Sequence, residues 1–239
     1  MSLRRRLRRF TPVPVRQRLY DRSRAKRRRW ARVPGVETVP PVAGAALSFD
    51  DGPDPEFTPP LLEALERAGA TATFFVVGER VPGNEALLRE AESRGHEIAL
   101  HGMTHRRHDR LDEQAARAEL SEGLAAIEAA GVARPRRYRP PYGGTSPTLG
   151  AICAELGLEL AYWSAWGQDW DPIPAARIAS LVERDLVPGA VVLLHDSALY
   201  AERPDPRPTI EAIGPIAAAA ARAGVALVSL DRALAPRSE

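Results

Sequence analysis

From about residue 42 onward, short apolar β-type runs alternate with stretches of helical period, and that alternation narrows the fold more than any other feature. The pattern predicts strands at Ala45–Phe49, Thr71–Val77, Glu97–Leu100, Arg137–Tyr138, Leu160–Ser164, Ala190–Leu194 and Val225–Ser229. It predicts helices at Thr58–Ala68, Asn84–Arg94, Leu111–Ala130, Pro147–Leu156, Ile173–Asp185 and Thr209–Ala223, with Asp112 placed to cap the third of these. Strands that alternate with helices build a parallel sheet with helices packed outside it. About seven such pairs fit an α/β fold of the small, incomplete barrel type better than two open sheets. Twenty-two prolines and 18 glycines argue the same way, against a helical bundle and for many short elements joined by tight turns.

Charge divides the chain. Residues 1–35 hold 14 of the 33 Lys and Arg residues and a single acid, Asp21, so this segment is +13 and the remainder −11. The basic segment reads as a disordered tail or as a peripheral contact for an anionic membrane or other polyanion, with a basic helix over Val15–Ala31. The acidic domain, from about 42 to 235, does not have the charge of a nucleic-acid binder. No apolar run reaches the roughly 18 residues of a membrane span. After Arg8-Arg9-Phe10 comes Thr-Pro-Val-Pro-Val-Arg, too short and too interrupted for the apolar core of an export signal. The expected location is therefore the cytoplasm or the inner membrane surface. One cysteine, Cys153, excludes an intrachain disulfide framework and a Cys-rich zinc site, and reads as a buried small residue.

The polar residues that carry chemistry sit just after the predicted strands, where barrel enzymes build their sites. Asp50-Asp51-Gly52-Pro53 follows the first strand, His101 and His105 the third, and Arg139-Pro140-Pro141-Tyr142-Gly143 the fourth. Asp169-Trp170 lies beyond the fifth, and His195-Asp196 ends the sixth. The spacing of His101 and His105 puts two imidazoles on one face of a helical turn. Two neutral imidazoles and one carboxylate make a three-ligand metal site with open positions, and Asp51 is the natural carboxylate. Adjacent aspartates at a strand end divide the work: Asp51 binds metal while Asp50 stays free to move a proton. His96 and His108 fit no such pattern and read as ordinary polar positions.

These segments resemble the five motifs of the polysaccharide deacetylases, the NodB-homology fold of carbohydrate esterase family 4. Leu47 to Pro55 resembles the first, Gly95 to His105 the second, Arg139 to Gly143 the third, Trp163 to Trp170 the fourth and Leu193 to Asp196 the fifth. The resemblance spans about residues 42–232, in the family's order. It implies a distorted (β/α)7 barrel and metal-dependent removal of N-linked acetyl groups from an N-acetylated amino sugar or glycan. It implies Asp50 as base, and Asp51, His101 and His105 as ligands of one divalent metal, zinc first and cobalt, manganese or nickel as alternatives. It further implies His195 as the acid that protonates the leaving amine, Asp169 as its partner and Arg139 as the residue that orients Asp50. The Tyr142 backbone N–H would stabilise the oxyanion, and Leu193 would line the acetyl pocket.

Two positions depart from the family pattern. Gly102 stands where a Ser or Thr usually steadies the loop, and Trp166 where a further aspartate is common. Trp166 and Trp170, with Trp163, read either as a sugar-stacking platform or as packing aromatics. An O-acetyl ester hydrolase using the same site and a catalytically silent glycan-binding relative are the alternative functions. A non-haem iron site would use the same three ligand types and leave His195 and Asp169 without a role.

Overall fold

β1 (Ala45–Asp50) is an interior strand of the sheet, and all six of its residues are buried. It is covered on both faces, which is why Ala-Ala-Leu-Ser-Phe-Asp runs apolar without the alternation of a half-exposed strand. The computed structural model describes residue 15 and residues 33–235, and those from Gly35 onward make one compact unit. The basic helix expected over Val15–Ala31 lies, Val15 aside, outside the described residues.

After β1 come α1 (Thr58–Arg67), β2 (Thr73–Val76), α2 (Glu85–Ser93), β3 (Glu97–Leu100), α3 (Glu113–Ala129), β4 (Arg137–Tyr138) and α4 (Pro147–Glu155). Then follow β5 (Glu159–Leu160), β6 (Ala165–Trp166), α5 (Ala175–Asp185), β7 (Val191–His195), α6 (Arg207–Arg222), β8 (Leu227–Val228) and α7 (Leu230–Leu234). All the strand pairs are parallel, in the order β5-β4-β3-β2-β1-β7-β6, with β8 also on β1. The incomplete α/β barrel expected from the alternation is what the chain forms.

Local chemistry sets the helix starts. Asp112 accepts a hydrogen bond from the Ala115 N–H at the start of α3, and Ser146 does the same for Leu149 N–H at α4, ahead of Pro147. α1 carries Pro59 and Pro60 in its first turn and buries Leu61, Leu62 and Leu65 against the sheet. Among the described residues, no helix is long and apolar enough to cross a membrane.

One predicted strand is corrected. Leu160–Ser164 is not a single strand: β5 ends at Leu160 and β6 begins at Ala165, on opposite ends of the sheet order. No helix separates them. Residues 161–164 cross the open side of the barrel, and the N-terminal arm fills the gap. Val36 bridges to Ala161, its C=O accepts the Tyr162 N–H, and Thr38 bridges to Ala190. The apolar run there is real, but the arm takes backbone pairs that a continuous strand would have given to a neighbour.

Candidate active site

Parallel register fixes the first relation in the site. Asp50, the last residue of β1, is the paired neighbour of His195, the last residue of β7. Asp51 then leaves the strand in a left-handed conformation, φ 85°, so the two adjacent carboxylates diverge. Asp50 meets Arg139, which follows β4 and is wholly buried. Nη1 of Arg139 donates to Asp50 Oδ1 at 2.7 Å and to Ser48 Oγ at 2.9 Å, and Nη2 donates to the Tyr162 C=O at 2.8 Å. The guanidinium carbon also lies 4.0 Å from the centre of the Phe75 ring. A buried guanidinium is costly unless its charge is paired, and here both Nη atoms are engaged while Nε is not.

Asp51, His101 and His105 offer one ligand atom each, all within 4.8 Å of one another. His101 Nδ1 lies 2.6 Å from the Arg139 C=O, which can only accept, so Nδ1 carries the proton and the Nε2 lone pair faces inward. His101 Nε2 is 3.5 Å, and His105 Nε2 3.1 Å, from Asp51 Oδ1. That oxygen is buried yet is not aligned to accept a hydrogen bond. A buried carboxylate oxygen without a donor, facing two imidazole nitrogens, suits a cation better than a proton. The donor set of two imidazoles and one carboxylate fits a divalent metal with open positions.

The helical turn expected for the two histidines is not there. His101 and His105 lie on a loop after β3, and Gly102, at φ 100°, turns the chain between them. The rings still converge, with centres 5.2 Å apart.

On the other side of β1, His195 Nδ1 lies 2.8 Å from Asp169 Oδ1, and the His195 N–H donates to Oδ2 at 2.9 Å. Asp169 is buried and also accepts from Thr209 Oγ1, while Arg203 Nη1 lies 3.3 Å from Oδ2. Burial would lower the His195 imidazole, but Asp169 above all, then Asp51 and Asp50, raise it to about 9. Burial raises Asp169, and the charges of His195 and Arg203 outweigh it and lower the carboxyl.

Tyr142 is half exposed in a turn at φ 60°, its ring edge-on to His105. Trp166 and Leu193 are paired on β6 and β7, and both are buried. Trp166 packs against Trp163 and Trp170, and Trp170 meets His195 at right angles, ring centres 5.5 Å apart.

Sequence reasoning missed several contributors. Tyr200 stacks on His105 with ring centres 4.2 Å apart, and its hydroxyl donates to Glu79. Arg203 and Thr209 hold Asp169, and Ser48 holds Arg139. His108, read as an ordinary polar position, is buried beneath the His101–His105 loop. His96 is also buried; its Nδ1 accepts the Ala72 N–H, and burial with Arg94 nearby lowers it to about 4. Cys153 is buried, as expected.

Known proteins are similar to this chain in sequence and fold. The model of the polysaccharide deacetylase family matches residues 39–161. The chain is 38% identical over 173 residues to a chitooligosaccharide deacetylase of Bradyrhizobium sp., covering 72% of this chain and 76% of that one. It is 34% identical over 154 residues to a peptidoglycan-N-acetylglucosamine deacetylase of Bacillus cereus, covering 63% and 71%. Among solved structures, a family 4 carbohydrate esterase from Streptomyces lividans in complex with acetate superposes with a TM-score of 0.71 at 35% identity, over 77% of this chain and 91% of that one. The fold, the strand-end carboxylates and histidines, and these likenesses agree: the chain belongs to the polysaccharide deacetylase family.

Proposed function

We propose that the protein is a metal-dependent N-deacetylase that releases acetate from an N-acetylated amino sugar or glycan. The carrying observation is the register of β1 with β7, which sets Asp50 beside His195 and next to the cluster of Asp51, His101 and His105. Amide hydrolysis needs a group to take a proton from the attacking water and one to give a proton to a poor leaving amine. Asp50 is assigned the first task. Its Oδ1 is held by Arg139, and its Oδ2 lies 3.8 Å from His101 Nε2, on the side of the ligand cluster. His195 is assigned the second. Raised to about 9, it is protonated at neutral pH, and with Nδ1 on Asp169 it has Nε2 left to donate.

A divalent cation held by Asp51, His101 and His105, zinc by the donor set, would supply Lewis acidity toward the acetyl carbonyl. In this reading the Tyr142 N–H assists at the same oxygen. Trp166, Trp170 and Leu193 form the wall on the His195 side. The relatives named as chitooligosaccharide and peptidoglycan-N-acetylglucosamine deacetylases support a substrate with N-acetylglucosamine units. The basic segment 1–35 is proposed to add a peripheral contact with an anionic membrane surface.

The test is acetate release from N-acetylglucosamine oligomers by metal-stripped protein after zinc or cobalt is restored. Release is expected to return with metal and to fall by about 10²–10⁴ in Asp50→Asn, the cost of losing one positioned base. Metal bound at one equivalent with no release from N- or O-acetylated glycans would overturn the reading.

A further inference from the structure

We infer that Glu119, on α3, is a positioning residue that fixes the loop carrying His105 and so sets how tightly the three-ligand site holds a metal. The inference rests on the metal reading above and concerns a residue outside the ligand set.

The loop between His101 and His105 lacks regular structure of its own, so its backbone must be satisfied from elsewhere. Glu119 is buried beneath it and meets four of its groups. Oε2 accepts the Thr104 N–H at 2.8 Å, and Oε1 accepts the Thr104 hydroxyl at 2.8 Å and Arg106 Nε at 2.5 Å. Thr104 and Arg106 are the two neighbours of His105, so one carboxylate grips the chain on both sides of that ligand. The Glu119 C=O also accepts the Met103 N–H at 2.9 Å. His108 completes the arrangement. Its Nε2 faces two acceptors, the Thr104 C=O at 3.0 Å and Glu119 Oε2 at 3.2 Å, and so carries a proton. Its Nδ1 lies 2.7 Å from the Tyr138 hydroxyl.

Gly102 makes room for this. A Cβ there would lie 2.1 Å from His108 Cε1, so the ring occupies space that any side chain at 102 would need. The loop is therefore steadied from behind, by a carboxylate on α3 and by the His108 imidazole ahead of that helix, and not by a side chain beside His101. A buried carboxylate surrounded by donors is a rigid anchor: removing it takes the acceptor from the Thr104 N–H and leaves the His108 N–H with the Thr104 C=O alone. Groups that orient metal ligands from behind typically account for about 10–100-fold in metal affinity.

The experiment measures the zinc dissociation constant by chelator competition and the visible spectrum of the cobalt-loaded protein, in the full chain. Glu119→Ala is expected to weaken zinc about 10–100-fold and to change the cobalt spectrum. Glu119→Gln, which keeps one acceptor oxygen and the side-chain shape, recovers part of the loss and carries the test if Glu119→Ala does not fold. Glu97→Gln is the control for stability alone. Glu97 accepts from Thr73, Arg137 and the Asp231 N–H at the opposite end of β3. That variant should lower the melting temperature and leave the zinc constant where it was. Zinc affinity and cobalt spectrum unchanged in folded Glu119 variants would overturn the inference while the ligand assignment stands. A wild-type protein that binds neither metal would overturn the ligand assignment and this inference together.

Discussion

His195 shows how far a single residue's chemistry depends on its neighbours. Its imidazole is raised to about 9 because Asp169, Asp51 and Asp50 outweigh the cost of burial. The proton is bound more tightly in the folded protein than in the unfolded chain. The stability it contributes is complete below the unfolded value near 6.5 and is lost as pH rises through about 9. A cation at Asp51 cancels that carboxylate's share, so the loaded protein should lose its proton donor below pH 9. The rate of acetate release should therefore fall on the alkaline side, and Asp169→Asn should move that fall to lower pH while cutting the rate about 10²–10⁴-fold. A pH–rate profile of the variant whose alkaline limb stays in place would remove Asp169 from its role. Asp50, Asp51, His101, His105, Arg139 and His195 were legible in the sequence because each stands at a strand end in a short motif. Arg203 was not: it reaches Asp169 from 34 positions away, out of a loop whose sequence shows only an arginine between Glu202 and Pro204.

At the scale of elements, the alternation of strand and helix was plain, but which backbone pairs with which was not. The apolar run at Leu160–Ser164 looks like one strand because nothing local reveals that Val36, about 125 residues earlier, takes the pairing of Ala161. The His101–His105 spacing looked helical for the same reason, since the turn at Gly102 depends on His108 and on α3 packing behind it. Gly123 on α3 makes this packing testable. In an isolated helix, Gly→Ala is worth up to about 1 kcal/mol of stability. Here the added Cβ would lie 2.7 Å from Leu100 Cδ1 and 2.9 Å from both the Gly102 carbonyl carbon and the Met103 nitrogen. Two of those three atoms are backbone of the loop that carries His105, and backbone does not step aside cheaply. Gly123→Ala is therefore expected to lower the melting temperature and to weaken zinc retention, against the local preference. A variant that melts higher would mean that α3 and the loop can separate without cost.

The whole molecule joins a +13 segment to a −11 remainder, and the net charge of +2 conceals both. The two parts call for different partners. The acidic remainder is a poor match for an anionic surface, while 14 cationic side chains within 35 residues are worth about 1 kcal/mol each when they lie near one. The groups proposed to act in catalysis all belong to the remainder: the cluster at the ends of β1 and β3, Arg139 after β4 and His195 on β7. Gly35 packs its backbone against Leu160 and Tyr162, and Val36 bridges to Ala161, so a cut after Pro34 leaves the arm that closes the barrel in place. Deleting residues 1–34 should therefore separate attachment from turnover. Acetate release from a short soluble N-acetylglucosamine oligomer should be unchanged. Binding to vesicles containing phosphatidylserine should be strong at low salt for the full chain, weaken as salt screens it, and vanish for the truncated chain. Equal vesicle binding by both forms would move the contact onto the folded domain. A loss of turnover with the deletion would mean that the basic segment serves the site itself, since nothing else in the shortened chain has changed.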